Sequence, residues 1–307
     1  MPNKYLPVIS GITFSTIFGF SFMFTKEALD IISPFQLLGY RFATAALVLT
    51  LLYVTGLIKI NLKGKKLGLL FTLALIQPVL YFVFETLGIH LTTSSEAGLM
   101  ISLIPVVVAI LASIFLKEKP NRVQLFFIIL SVVGVAFIMV MKGALSVEKN
   151  YFGIFLLLGA VSMAGIYNIL SRKLSLNFKP VEITFVMMWF GAIFFNIISF
   201  WQIRGNWKIY FGIILRPHVL TSVMYLGILS SVVAFFLVNF TLSRIQSFQS
   251  AVFSNLTTVI SVMAGIIFRN EPFYWFQIIG AVMIITGVWG TNYYGRNLKK
   301  KAEELPA

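Results

Sequence analysis

Ten long apolar stretches follow one another along the chain, each bounded by charged or turn-forming residues. Each is long enough to cross a hydrocarbon core about 30 Å thick as a helix, which satisfies its own backbone polar groups. The pattern therefore predicts an all-α integral membrane protein with ten transmembrane helices. The connector 203–217 is long and partly apolar, and it could form an interfacial helix. The ten stretches are residues 6–25, 35–57, 67–89, 95–116, 123–141, 151–171, 182–202, 218–242, 248–268 and 273–293.

Composition supports a membrane protein. The chain is 59% hydrophobic and only 11% charged, with a mean hydropathy of +0.93, whereas soluble domains carry about 25% charged residues. The net charge of +14 is spread over short clusters between the apolar stretches. Such clusters are typical of loops at an anionic membrane face, so we expect membrane lipids and no nucleic acid as partners. The absence of cysteine excludes disulfides and cysteine metal sites, and we expect no metal and no cofactor.

The distribution of basic residues predicts the orientation in the membrane. With the N-terminus in the cytoplasm, sixteen Lys and Arg residues fall on the cytoplasmic side and seven on the outer side, which leaves Arg41 inside the second helix. Cytoplasmic loops carry the excess of Lys and Arg. We therefore expect a multi-pass protein of the cell (inner) membrane with both termini in the cytoplasm.

The chain repeats itself weakly after 153 residues. A shift by five helices, an odd number, places the two halves in opposite orientations, and inverted repeats are typical of alternating-access transporters. The matching residues are Ile114-Phe115-x-x-Glu118 with Ile267-Phe268-x-x-Glu271, Gln124 with Gln277, and Gly134-Val135 with Gly287-Val288.

The most distinctive motif is Tyr-Phe-Val-Phe-Glu-Thr-Leu-Gly-Ile-His-Leu-Thr-Thr-Ser-Ser-Glu-Ala-Gly at residues 81–98, which continues through Ile104-Pro105 to Glu118-Lys-Pro120. A further stretch, Ala164-Gly-Ile-Tyr-Asn168, lies in the second half. These residues resemble the EamA family of the drug/metabolite transporter superfamily. The resemblance implies two inverted five-helix repeats around a central substrate cavity. We expect an EamA-like repeat over 1–149 and a second one over 150–307 that ends in a short basic cytoplasmic tail.

Ionisable residues inside the apolar stretches are the first functional candidates, because charge in hydrocarbon is costly. Glu85 and Glu96 flank a tight turn near residues 90–91, at similar predicted depths. Lys26 ends the first helix on the same side, and Arg41 lies about six residues into the second. We expect a mixed-charge cluster in the outer third of the bundle. Either it is a gate or coupling site that binds a proton or a cationic group, or its ion pairs only lock the helix ends.

Polar and helix-breaking residues within the spans are further candidates. Pro78 and Pro105 can bend their helices around a cavity. In the 153-residue register Gln249 falls on Glu96, so we expect an amide-rich gate on the inner side opposite the carboxylate-rich outer one. Some polar residues contact substrate and others bind neighbouring helices, and the sequence leaves open which do which: Tyr81, Ser102, Tyr167, Asn168, Asn239 and Asn255.

No P-loop, long catalytic connector or metal-spaced cluster is present in the sequence, so we identify no catalytic residue and do not expect an enzyme. We expect a secondary transporter of small polar metabolites, an exporter of amino acids or related solutes as the resemblance implies, with protons as a candidate coupling ion. An uncoupled facilitator is the main alternative, followed by a non-transporting membrane protein and an integral membrane enzyme. One chain holds both repeats, so an oligomer is not required.

Overall fold

The computed structural model describes residues 5–91, 100–141, 151–202, 206–269 and 272–303. Every regular element in these ranges is helical. Two π-helical segments join consecutive helices: Leu75–Leu80 lies between α3 and α4, and Tyr225–Ala234 between α10 and α11. The α-helices are α1 (Leu6–Leu29), α2 (Pro34–Val54), α3 (Gly68–Ala74), α4 (Tyr81–Leu91), α5 (Ile104–Phe115), α6 (Arg122–Met141), α7 (Tyr151–Leu174), α8 (Pro180–Gln202), α9 (Trp207–Ile214), α10 (Pro217–Met224), α11 (Phe235–Arg244), α12 (Ser247–Ala251), α13 (Phe253–Arg269) and α14 (Trp275–Glu303).

Eight helical rods within the described ranges are long and apolar enough to cross a membrane. They correspond to eight of the ten predicted stretches. The other two, 95–116 and 273–293, overlap α5, which is a shorter apolar helix, and α14, which is not among these eight. The connector 203–217 contains the short helix α9.

The outer surface of the bundle is suited to lipid. Large apolar side chains point away from the core on several helices, among them Leu51 (64% exposed), Ile114 (65%) and Phe126 (61%). In water such a surface would be an aggregation hazard, whereas in a bilayer it faces acyl chains. The core itself is built from buried aromatic and aliphatic side chains such as Phe42 and Phe195, whose rings stack 5.6 Å apart.

The two ends of the bundle differ in charge. The connectors 55–67, 116–121, 175–179 and 245–246 lie together at one end, which we call the basic end because lysines and arginines are concentrated there. Contacts across this end confirm the placement, because Lys65 contacts Glu182 and Glu118 contacts Arg172. We call the other side of the bundle the opposite end.

Helices α6 and α14 pack against each other with exchanged contacts. A Cβ atom added at Gly134 would lie 2.9 Å from the carbonyl oxygen of Gly280, and one added at Gly287 would lie 2.6 Å from the carbonyl oxygen of Phe127. A shift of 153 residues converts the first contact into the second. Such reciprocity is the property of a two-fold axis. The two helices run antiparallel, so equivalent helices point in opposite directions.

Equivalent glutamines in the 153-residue register form the same hydrogen bond at the start of each of these two helices. The backbone N–H of Asn121 donates to Oε1 of Gln124 at 3.1 Å, and the backbone N–H of Tyr274 donates to Oε1 of Gln277 at 2.9 Å. Each glutamine thus satisfies one of the donors left free at a helix start. The predicted boundary between residues 149 and 150 lies outside the described residues and stays a prediction.

Candidate functional site

A cavity of about 370 Å³ lies among α1, α2, α4, α7, α11 and α13. It extends from Leu29 and Pro34, where α1 meets α2 at the opposite end, to Phe14 and Val238 deeper in the bundle. The described connectors of the basic end contribute nothing to its wall. Its size falls within the range of small-molecule sites. Its polar lining residues are Ser21, Thr25, Arg41, Gln77, Tyr81, Glu85, Thr86, Tyr167, Asn168, Ser250, Ser254 and Thr257.

Arg41 brings a positive charge to this cavity and is only 7% exposed. Its Nε donates to Oγ of Ser231 at 2.7 Å and its Nη2 donates to Oγ of Ser230 at 2.9 Å. The guanidinium also lies 5.0 Å from the ring centre of Phe82. Hydroxyls and an aromatic face hold the guanidinium without cancelling its charge, which leaves it available to an anion.

Glu85 brings a negative charge to the same cavity. Tyr81, one turn earlier on α4, donates its hydroxyl to Oε1 of Glu85 at 2.8 Å. Arg41 and Glu85 attract each other electrostatically, yet no ion pair within 4.0 Å joins them among the described residues. Two opposite charges therefore share one cavity with a gap between them.

The predicted charge cluster includes two residues whose side chains the structure describes, Arg41 and Glu85. Arg41, Tyr81 and Glu85 lie together at the cavity wall. Glu96 lies outside the described residues. Lys26 belongs to α1, but its side chain is outside the description.

The polar candidates of the second half form a network beside the cavity. Tyr167 lines the cavity and donates to Oδ1 of Asn239 at 2.9 Å. The Asn239 amide also donates to Oγ1 of Thr184 at 3.0 Å. Both ends of this amide therefore bind protein groups, and they tie α11 to Tyr167 on α7 and to Thr184 on α8. Asn168 does line the cavity, and its Nδ2 donates to the carbonyl of Ala164 at 2.8 Å.

Two further candidates, like Asn239, lie outside the cavity wall. Asn255 donates from Nδ2 to Oγ of Ser131 at 3.0 Å, which ties α13 to α6. Ser102 is 3% exposed and lies in the turn before α5. The structure does not bring either side chain to the cavity.

The broken helix before α4 supplies a lining residue that the sequence reasoning missed. Gln77 has φ −137° and ψ 117°, far from helical values, and it precedes Pro78. A residue before proline is pushed out of the α region, so Pro78 was the available signal. Pro105, in contrast, lies in the first turn of α5, where proline is tolerated. The structure shows a break at Pro78 and a helix start at Pro105.

The helices α12 and α13 contribute polar lining residues that the sequence analysis also did not identify. Ser250, Ser254 and Thr257 line the cavity. Their spacing of four and three residues places them on one side of a helix. This spacing was readable in the sequence, but hydroxyls in an apolar span more often bond to their own helix. Ser254 does so, donating to the carbonyl of Ala251 at 2.7 Å.

The basic end is closed by two ion pairs. Nζ of Lys65 lies 2.6 Å from Oε2 of Glu182, which is only 1% exposed. Glu182 also accepts the backbone N–H groups of Asn61 at 3.1 Å and Lys179 at 2.8 Å. One carboxylate thus joins the connector 55–67 to the start of α8.

The second ion pair lies on the other side of the same end. Nε of Arg172 donates to Oε1 of Glu118 at 2.9 Å, and the backbone N–H of Ser247 donates to Oε2 at 2.7 Å. We call Lys65–Glu182 and Glu118–Arg172 the clamp. Each pair links the first half of the chain to the second. The connector that carries Glu118 thus reaches across to α7. The expectation of an amide-rich inner gate stays a prediction.

Comparisons with known proteins identify relatives of this chain. The model of the EamA-like transporter family matches residues 6–140 and again residues 151–293. The chain is 37% identical over 303 residues to the uncharacterized transporter YcxC of Bacillus subtilis (strain 168), covering 97% of this chain and 96% of that protein. It is 23% identical over 200 residues to a probable terminal-alkyne amino-acid exporter of Streptantibioticus cattleyicolor, covering 65% and 64%. A solved crystal structure shares the fold with a TM-score of 0.76 at 15% identity, covering 93% of this chain and 98% of that one.

Proposed function

The chain belongs to the EamA-like transporter family, and from this membership we propose that it is a secondary transporter that exports amino acids or related small polar metabolites by alternating access. A multi-pass membrane protein of this family has its substrate route inside the helix bundle. The proposal concerns the substrate class, the direction and the mechanism.

One observation supports the substrate class above the others. Arg41 and Glu85 line the same cavity and do not pair directly. An amino acid carries one carboxylate and one ammonium group on the same α-carbon, and it can neutralise both side chains at once. Complementary charges of this kind set orientation and selectivity in a binding site. The apolar remainder of the wall, including Phe14 and Phe235, suits a variable side chain.

The closed basic end supports alternating access. The cavity reaches the opposite end, whereas the clamp holds the two halves together at the basic end. With the basic end in the cytoplasm, as the excess of positive charge favours, this conformation faces outward and both termini of this cell-membrane protein lie in the cytoplasm. Export then requires a second conformation in which the clamp is open.

Counterflow in proteoliposomes tests the substrate class. Vesicles preloaded with an unlabelled solute take up the same labelled solute only if the protein carries it. We expect zwitterionic amino acids to give accumulation about 10-fold above protein-free vesicles. Accumulation of purines, sugars or simple cations without amino acids would contradict the proposal.

Glu85 is the proposed coupling residue, because a carboxylate in a cavity can exchange a proton for a substrate ammonium group. We expect Glu85→Gln to lower flux about 10-fold and to remove its dependence on a pH gradient. Glu27→Gln is the matched control, since Glu27 lies on α1 outside the cavity wall. Retention of the wild-type pH dependence in Glu85→Gln would exclude Glu85 from coupling. Wild-type flux that ignores a protonophore would instead support an uncoupled facilitator.

A further inference from the structure

Gln77 presents a hydrogen-bond acceptor that the protein itself does not use. The side chain is 5% exposed and lines the cavity. Its Oε1 is buried and has no hydrogen-bond partner among the described residues. Nearly all buried polar atoms in folded proteins are paired, so an unpaired one calls for an explanation.

The position of Gln77 is fixed by packing around the helix break. A Cβ atom added at Gly191 on α8 would lie 2.7 Å from Cγ of Pro78. The glycine therefore lets α8 approach the break closely, which holds the backbone of Gln77 in its extended conformation. The acceptor is thus held in place at the cavity wall.

In the other half of the chain, the residues equivalent to Gln77 and Pro78 form hydrogen bonds within the protein. In the 153-residue register Gln77 and Pro78 correspond to Ser230 and Ser231, which also lie in a π-helical segment. Those two hydroxyls bind the guanidinium of Arg41. One segment therefore binds a charged side chain, whereas the amide oxygen of Gln77 in the other has no partner among the described residues.

We propose that Oε1 of Gln77 accepts a hydrogen bond from an uncharged N–H or O–H group on the side chain of the transported amino acid. This inference rests on the proposed function, with the ionic groups of the substrate at Arg41 and Glu85. Gln77 precedes Glu85 by eight residues, and its backbone is extended rather than helical. The group that reaches Gln77 therefore belongs to the side chain of the substrate and not to its ionic head.

The donor is uncharged because the described cavity wall offers no second carboxylate to compensate another positive charge. Glu85 is the only carboxylate among the lining residues that the structure describes, and the substrate ammonium group occupies it. A site with an unpaired acceptor discriminates strongly against an analogue that lacks the donor. The substrate class is thus narrowed to amino acids with amide, indole or hydroxyl groups in their side chains.

Selectivity between shape-matched amino acids tests the inference. Asparagine and leucine have side chains of similar shape, and so do tyrosine and phenylalanine, but only the first of each pair has a donor. We expect wild-type protein to prefer the donor-bearing member about 10-fold in counterflow, and Gln77→Leu to reduce that ratio to about 1. Gln36→Leu should keep the wild-type ratio, because Gln36 is buried outside the cavity wall. An unchanged ratio in Gln77→Leu would overturn the inference.

Thermal unfolding of the purified, ligand-free protein gives a readout that needs no substrate. Leucine at position 77 removes an unpaired acceptor, so we expect the unfolding temperature to stay the same or rise. Gln36→Leu should lower it by about 2–6 °C, since Nε2 of Gln36 donates to the hydroxyl of Tyr40 at 2.8 Å. A decrease in Gln77→Leu as large as in Gln36→Leu would show a structural role and overturn the inference. If no amino acid is transported at all, the proposed function fails while this measurement still decides the role of Gln77.

Discussion

Replacing Arg41 by methionine is expected to lower amino-acid flux in proteoliposomes by up to about 100-fold. Arg41 is the only cation among the described lining residues. Charged hydrogen bonds of this kind contribute about 1.5–3 kcal/mol, and a loss near the upper figure corresponds to about 100-fold. The bundle should still fold, because the freed hydroxyls of Ser230 and Ser231 can bond to carbonyls of their own helix.

Two further variants test whether the loss of flux comes from the position and the shape of the Arg41 side chain. Arg244→Met is the matched control, since Arg244 lies at the end of α11 over the ring of Phe240, away from the cavity wall. Its flux should match the wild type. Arg41→Lys should be intermediate, because lysine keeps the charge but loses the planar fork that binds two partners at once. Flux of Arg41→Met within about threefold of the wild type, in protein that elutes as a folded species, would rule out Arg41 as a substrate ligand.

Opening of the clamp is the second large expected effect. The double variant Glu118→Gln and Glu182→Gln removes both carboxylates that join the halves at the basic end. Breaking a part-buried ion pair costs on the order of 1–2 kcal/mol, and two of them should shift the conformational equilibrium at least about 10-fold. We expect the cavity to become reachable from the basic end.

The chain contains no cysteine, so a single engineered cysteine reports on access. Ser250→Cys places a thiol at the cavity wall on α12. A membrane-impermeant maleimide should label it from the opposite end in the otherwise unaltered chain, and at least about 10-fold faster from the basic end once the clamp carboxylates are replaced. Lys63→Met, which leaves both ion pairs intact, is the control. Equal labelling from the basic end with and without the clamp would mean that these ion pairs do not close the route.

The helices of this protein were largely predictable from the sequence, because the cost of exposing backbone polar groups to lipid forces long apolar stretches to be helical. The observed α6, Arg122–Met141, matches the predicted 123–141 within one residue. The prediction for 95–116 is met only over Ile104–Phe115 in the described residues. The register of 153 residues is also seen in the structure, because the equivalent glutamines near the starts of α6 and α14 accept equivalent backbone hydrogen bonds.

The site was only partly predictable. Arg41 and Glu85 could be identified because charge is rare and costly in an apolar span. Which neutral polar residues point into the cavity could not be predicted. Helices buried in a membrane bundle are apolar all round and carry little periodic signal. Asn239 therefore counted as a lining candidate, although it bonds to Tyr167 and Thr184 behind the wall. Gln77 was missed because its exposure to the cavity depends on a backbone break and on the rotation of that helix.

Helices α6 and α14 contribute no residue to the described cavity wall, and their contacts are exchanged across a local two-fold axis. An arrangement that is the same when viewed from either face of the membrane has no inward or outward version of its own. Reversal of the surrounding bundle can therefore leave this pair unchanged. Under the proposed alternating access, we expect this pair to keep its arrangement while the helices that line the cavity move. The free-energy difference between the two conformations would then arise in the moving helices and the clamp.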